Sequence, residues 1–155
     1  MRVLGVDPGS YRTGYGVVEC QQDYYLYITS GIIQGKGAIE ERLREIYEDL
    51  CAVIREYSPQ ALALESPFVA RNVKSALRLG QVQGVVLLAA SSSALPSFQY
   101  SPMEVKVALT GYGRAPKEQV REMVRRLLGL KDELFLDASD ALAVALCHIQ
   151  HCRLT

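Results

Sequence analysis

The hydrophobic pattern of the chain changes period several times, and each change predicts an element. "RVLGVD" (2–7) is a near-continuous apolar run, the pattern of a strand buried on both faces. "GYGVVEC" (14–20) and "YYLYITSGII" (24–33) follow after short links, with Gln21-Gln22-Asp23 as a turn, so these segments predict antiparallel hairpins. From Ile39 the period becomes helical. Ile39, Leu43, Ile46, Tyr47, Leu50, Val53, Ile54 and Tyr57 share one face, and Pro59 stands where it can stop the helix. "ALALE" (61–65) returns to a buried strand. A helix between two strands of one sheet implies a right-handed crossover, so this fourth strand runs parallel to one of the first three.

Residues 70–92 predict a second helix, basic at its start and apolar nearly all round from Val82 to Ala90. Such a helix needs burial on more than one side, supplied either by the core or by a partner subunit. A short strand, "SFQY" (97–100), runs into "SPME", where Ser101 as cap, Pro102 in the first turn and Glu104 make a capping box. That helix ends near Gly111, another begins at Pro116, and a last one spans about 137–151. The order β-β-β-α-β-α-β-α-α-α describes an α/β protein: a mixed five-stranded sheet flanked by helices, in one domain over 1–155.

Composition narrows the setting. No apolar run reaches the ~18 residues that span a membrane, and the N-terminus enters a strand pattern with no small-residue cleavage site. Cys20, Cys51, Cys147 and Cys152 form no C-x-x-C pair and read as reduced thiols of a cytoplasmic protein. The 17 Lys+Arg balance the 17 Asp+Glu, which excludes a non-specific polycation. The charge is nonetheless sorted. Residues 69–83 hold Arg71, Lys74 and Arg78 without an acid, and 99–128 hold six basic groups against three glutamates.

The acids carry the candidate chemistry. Asp7 and Glu65 each close an apolar strand at its C-terminal end, where open α/β sheets place their ligands. Asp137 and Asp140, three apart, lie on one face of the first turn of the last helix. Taken singly, Asp7 also reads as a turn residue before Pro-Gly, and Asp137 as a helix cap. Converged, four carboxylates repel one another and call for divalent metal; hard oxygen donors select Mg²⁺ or Mn²⁺. Two such ions can drive phosphodiester hydrolysis without a protein nucleophile.

"GVDPGSYRTGYGVV", "ALALESPFVARNVKSALRLGQVQGVV", "YSPMEVKVALTGYGRAPKEQV" and "DASDALAVALCH" resemble, in order and spacing, the motifs of the RuvC family. These are bacterial Holliday-junction resolvases with an RNase H-like (retroviral integrase superfamily) fold. The resemblance runs over essentially the whole chain. It implies a homodimeric, Mg²⁺-dependent endonuclease with two ions per site, for which Mn²⁺ substitutes. Such an enzyme nicks two opposed strands of a four-way DNA junction symmetrically, leaving 5′-phosphate and 3′-hydroxyl ends, in recombination and repair. It also implies cooperation with the RuvA–RuvB branch-migration complex. The family's catalytic and metal-binding carboxylates fall on Asp7, Glu65, Asp137 and Asp140, and none is missing.

Around them, Phe68 occupies the Glu-x-x-Phe position whose aromatic stacks on an unpaired base in the family; by residue pattern alone it also suits a hydrophobic helix cap. Lys106 and Lys117 match basic positions the family uses near the cleaved strand. Arg71, Lys74, Arg114 and Lys117 lie in basic stretches that suit DNA backbone contact, although such stripes are also common on solvated helix faces. "CHIQHC" (147–152) sets Cys147/His151 and His148/Cys152 four apart, a spacing compatible with zinc but short of further ligands. Two competing functions share the strand-end acid: an ATP-binding lobe of the actin, Hsp70 and sugar-kinase group, which needs two lobes, and a nuclease of this fold for other branched DNA or RNA–DNA hybrids.

Overall fold

The computed structural model describes residues 1–66, 72–131 and 136–155. Its sheet has the order β3-β2-β1-β4-β5, built from β1 (Arg2–Asp7), β2 (Arg12–Gln21), β3 (Tyr24–Gln34), β4 (Ala61–Glu65) and β5 (Ser97–Tyr100). β1 pairs antiparallel with β2 and β2 with β3, whereas β4 lies parallel to β1 and β5 parallel to β4. The mixed sheet matches the expectation, and the crossover makes β1 and β4 neighbours. β2 begins two residues earlier than its apolar run, because Arg12 and Thr13 continue the ladder opposite Gln34 and Ile33.

The helices are α1 (Ile39–Tyr57), α2 (Val73–Ser92), α3 (Pro102–Thr110), α4 (Lys117–Leu128) and α5 (Leu136–Leu154). Their ends follow local chemistry. Ser101 accepts from the Glu104 N–H while Glu104 accepts from the Ser101 N–H, and Gly111 closes α3 at φ 76° in the left-handed region. Pro116 sits at the cap of α4 rather than inside it. No described helix is long and apolar enough to cross a membrane.

Side-chain alternation along the strands divides the interior in two. Leu4, Val6, Val17, Leu62 and Leu64 face α1 and α2. Val3, Val18 and Ala63 face the opposite layer, where α5 lies on the sheet and α3 and α4 pack against it. α5 is buried on every residue from Ala138 to Ile149 except Asp140. It is thus the helix enclosed all round. α2, expected to need cover on several sides, buries Val82, Val86, Ala89 and Ala90 on one face and leaves Leu88 55% exposed.

Glycines set how closely α5 approaches. A Cβ at Gly5 would stand 1.9 Å from the Ala141 carbonyl oxygen, and one at Gly14 would stand 2.1 Å from that of Asp137. Gly14 pairs with Asp7 across the β1–β2 ladder. The bare backbone there lets the first turn of α5 rest directly beside the end of β1.

Candidate active site

The alternation that builds the core also aims the acids. Val3, Gly5 and Asp7 share the α5 face of β1, and Ala61, Ala63 and Glu65 share the same face of β4. Val6 pairs with Leu64, so Asp7 and Glu65 emerge side by side at the C-terminal edge of the sheet. α5 brings Asp137 and Asp140 to that edge from above. Two strands and one helix therefore converge four carboxylates from distant parts of the chain.

Their electrostatics report that convergence. Burial pushes Asp7 up to about 8 from an ordinary 3.8, and the charges of Glu65, Asp140 and Asp137 push in the same direction. Burial and Asp140 raise Glu65 to about 7. Asp140 is raised by burial and by Asp137, against the opposing pull of Lys117 and Arg121. A mutual repulsion of this kind between half-buried acids is a mark of functional sites.

The positive groups stand to one side. Lys117, first residue of α4, places Nζ 4.0 Å from Oδ2 of Asp140. Glu65, Asp140, Lys106 and Lys117 line one cleft of about 160 Å³, walled by Pro102, Val105, Val120 and Ala143. Lys106 and Lys117 therefore stand on the same cleft as Glu65 and Asp140. Arg114 is exposed in the α3–α4 connection. Lys74 lines a different cleft, with Ser10, Tyr11, Arg42 and Arg78. Phe68 and Arg71 lie outside the described residues.

Among the described residues no three His, Cys, Asp or Glu side chains close around a single point as a ready cage for metal. The Cys/His run at the end of α5 is engaged in hydrogen bonding instead. His148 Nδ1 meets the Tyr100 hydroxyl at 2.7 Å, and its Nε2 lies 3.5 Å from Cys152 Sγ. The four acids form an open set of oxygen donors. Their chemistry suits a hard divalent cation, because such a charge offsets the burial and the repulsion that hold Asp7 and Glu65 toward their protonated forms.

Three residues escaped the sequence reading. Gly14 reads as a hairpin glycine and Gly5 as one position of a buried strand until α5 is seen against them. Arg42 interrupts the apolar face of α1, a position at which a charged residue signals a buried polar contact; its NH1 donates to the Ser10 carbonyl at 2.9 Å and holds the β1–β2 turn.

Comparison with known proteins agrees with this architecture. Residues 3–148 match the family model described as "Crossover junction endodeoxyribonuclease RuvC". Among curated proteins so named, that of Geobacter metallireducens is 49% identical over 96% of this chain and 92% of its own length. That of Shewanella amazonensis is 46% identical over 94% and 85%. Among known structures, T. thermophilus RuvC in complex with Holliday junction substrate superposes with a TM-score of 0.95 at 35% identity, covering 99% of this chain and 96% of that one. The yeast mitochondrial resolvase Ydc2 shares the fold at 12% identity, with a TM-score of 0.66. Sheet order, strand-end acids and a family match spanning nearly every residue together place this chain in the RuvC family of crossover junction endodeoxyribonucleases, on an RNase H-like fold.

Proposed function

We propose that the chain cuts four-way DNA junctions as a homodimer, with Asp7, Glu65, Asp137 and Asp140 as its catalytic carboxylates. The observation that carries this reading is the convergence of the four acids at the C-terminal sheet edge, with Lys106 and Lys117 on the same cleft. The four acids would hold Mg²⁺, two ions per site, with Mn²⁺ as a substitute. Bound there, the metal would supply activation of a water and stabilisation of the charge on the leaving oxygen.

The chain's own residues do the rest. Asp7 and Glu65 fix oxygen donors on the rigid end of the sheet, and α5 fixes the other two. The ammonium of Lys117 offsets part of the negative charge beside Asp140 and faces the phosphate that enters the cleft. Lys106 lines the same cleft and attracts the same strand. The products are 5′-phosphate and 3′-hydroxyl ends.

Dimerisation has its own support. Val73, Leu77 and Leu88 are 77%, 64% and 55% exposed along one side of α2, with Gly80 and Gly84 between them facing open space. Residues recurring at three and four on one uncovered face suit packing against a second copy. Two opposed cuts in one junction require two sites.

The test is cleavage of a synthetic four-way junction beside a linear duplex and an RNA–DNA hybrid, with Mg²⁺ and with chelator. Paired, metal-dependent nicks confined to the junction are expected. Asp7→Asn should reduce the rate by about 10³-fold or more, as loss of a metal-holding catalytic group does, while junction affinity changes by less than about threefold. Wild-type cutting by this variant would remove Asp7 from the mechanism.

A further inference from the structure

A second cleft opens on the other flank of the β1–β2 turn. Ser10, Tyr11, Arg42, Lys74, Ser75 and Arg78 line it, with a volume of about 350 Å³. Ser10 is three residues beyond Asp7, so this cleft shares the sheet edge with the acids but lies on the α1/α2 side. Among the described residues its lining holds three cations and no carboxylate, and none of the three enters an ion pair.

The charge here is uncompensated and partly buried. Arg42 is only 8% exposed, and its Nε has no hydrogen-bond partner. Its guanidinium stands 4.8 Å from the centre of the Tyr11 ring. NH1 of Arg78 is likewise buried without a partner. Lys74 and Ser75 add an ammonium and a hydroxyl from the first turn of α2, the positive end of a 20-residue helix. Buried guanidinium groups normally face a carboxylate or a phosphate. Nothing in the described protein plays that part.

The carboxylates next door repel DNA, so binding and register must come from cations flanking them. We propose that the Arg42–Lys74–Arg78 cleft grips one backbone phosphodiester of the bound DNA, a fixed point separate from the phosphate being cut. This rests on the reading of the acidic site given above and extends it. Arg42 holds the turn and shapes the cleft; Lys74 and Arg78 supply its accessible charge.

Lys74→Gln/Arg78→Gln is the variant of choice, because replacing Arg42 would also release the β1–β2 turn. DNA affinity is measured on an Asp7→Asn background, across about 50–200 mM salt, for a four-way junction and a linear duplex. Loss of one phosphate contact should make the slope of log K against log salt shallower by about 0.9 and lower affinity about tenfold. Arg55→Gln, at the far end of α1, should change neither quantity. An unchanged slope, or an equal loss in the Arg55 variant, would overturn the proposal. A wild-type chain that binds DNA but prefers no junction would fault the reading of the acidic site instead; the slope on linear duplex still decides the cleft.

Discussion

Asp7 concentrates the conflict between stability and activity in one side chain. In the folded protein without divalent metal, burial and its acidic neighbours raise it to about 8, and Glu65 to about 7, against 3.8 and 4.5 for the free groups. The folded chain then holds more protons than the unfolded chain between those values. Stability contributed by the protonated acids is fully present below about pH 4 and is lost as pH rises toward about 8. In chelator, the melting temperature should therefore fall over that window, and Mg²⁺ added near pH 8 should restore it. Asp7→Asn should raise the melting temperature in chelator near pH 8, by about 2–4 °C for each kcal/mol of relief at this chain length. A thermal melt series in both conditions checks this; a flat profile would mean that Asp7 and Glu65 are not raised in the folded chain. The same substitution is expected to slow cutting by about 10³-fold, so on the proposed reading the residue serves chemistry at a cost in stability.

At the scale of elements, the site depends on how closely α5 seats on β1 and β2. Its backbone occupies space that any side chain at Gly5 or Gly14 would fill, and the obstacle is a carbonyl oxygen rather than a flexible group. Gly14→Ala must push the first turn of α5 outward, taking Asp137 and Asp140 with it. Overpacking of this kind costs about 1–3 kcal/mol. A displacement near 1 Å of a catalytic group costs about 100-fold in rate. Junction cutting by Gly14→Ala should fall by about that factor while the chain still melts cooperatively and still binds the junction. Near-wild-type cutting would show that the close approach does not position the acids. Leu142, whose side chain a Cβ at Gly16 would strike at 2.6 Å, is the more forgiving contact, because a side chain can turn aside.

At the scale of the whole molecule, α2 leaves an apolar face uncovered, with Val73, Leu77 and Leu88 exposed along it. Leu88→Glu sets a charge at the C-terminal end of that face. If the face joins two copies, a charge buried against the partner there costs about 2 kcal/mol or more of the association, so the dimer should weaken by about 30-fold or more. Sedimentation should then show monomer at concentrations where the parent is dimeric. Nicks in the two opposed strands should cease to appear together in one junction. A variant that remains dimeric would assign the α2 face another role.

Local order was legible in the sequence because it is written in short-range chemistry. The period of "ALALE", the helical spacing from Ile39 to Tyr57 and the capping box at Ser101–Glu104 each depend on residues a few positions apart, and each stands in the fold as read. The resemblance added the identity of the four acids, which spacing alone left open to plainer roles. The tertiary structure decided what joins distant segments. The β1–β4 pairing sets Asp7 beside Glu65, and the glycine floor brings α5 down onto them. Arg42 and Arg78, 36 positions apart in the sequence, come to line one cleft only because α1 and α2 pack on the same face of the sheet. A periodic pattern states which face of each element is buried, but not which elements meet; that choice is made by burial of the whole chain at once.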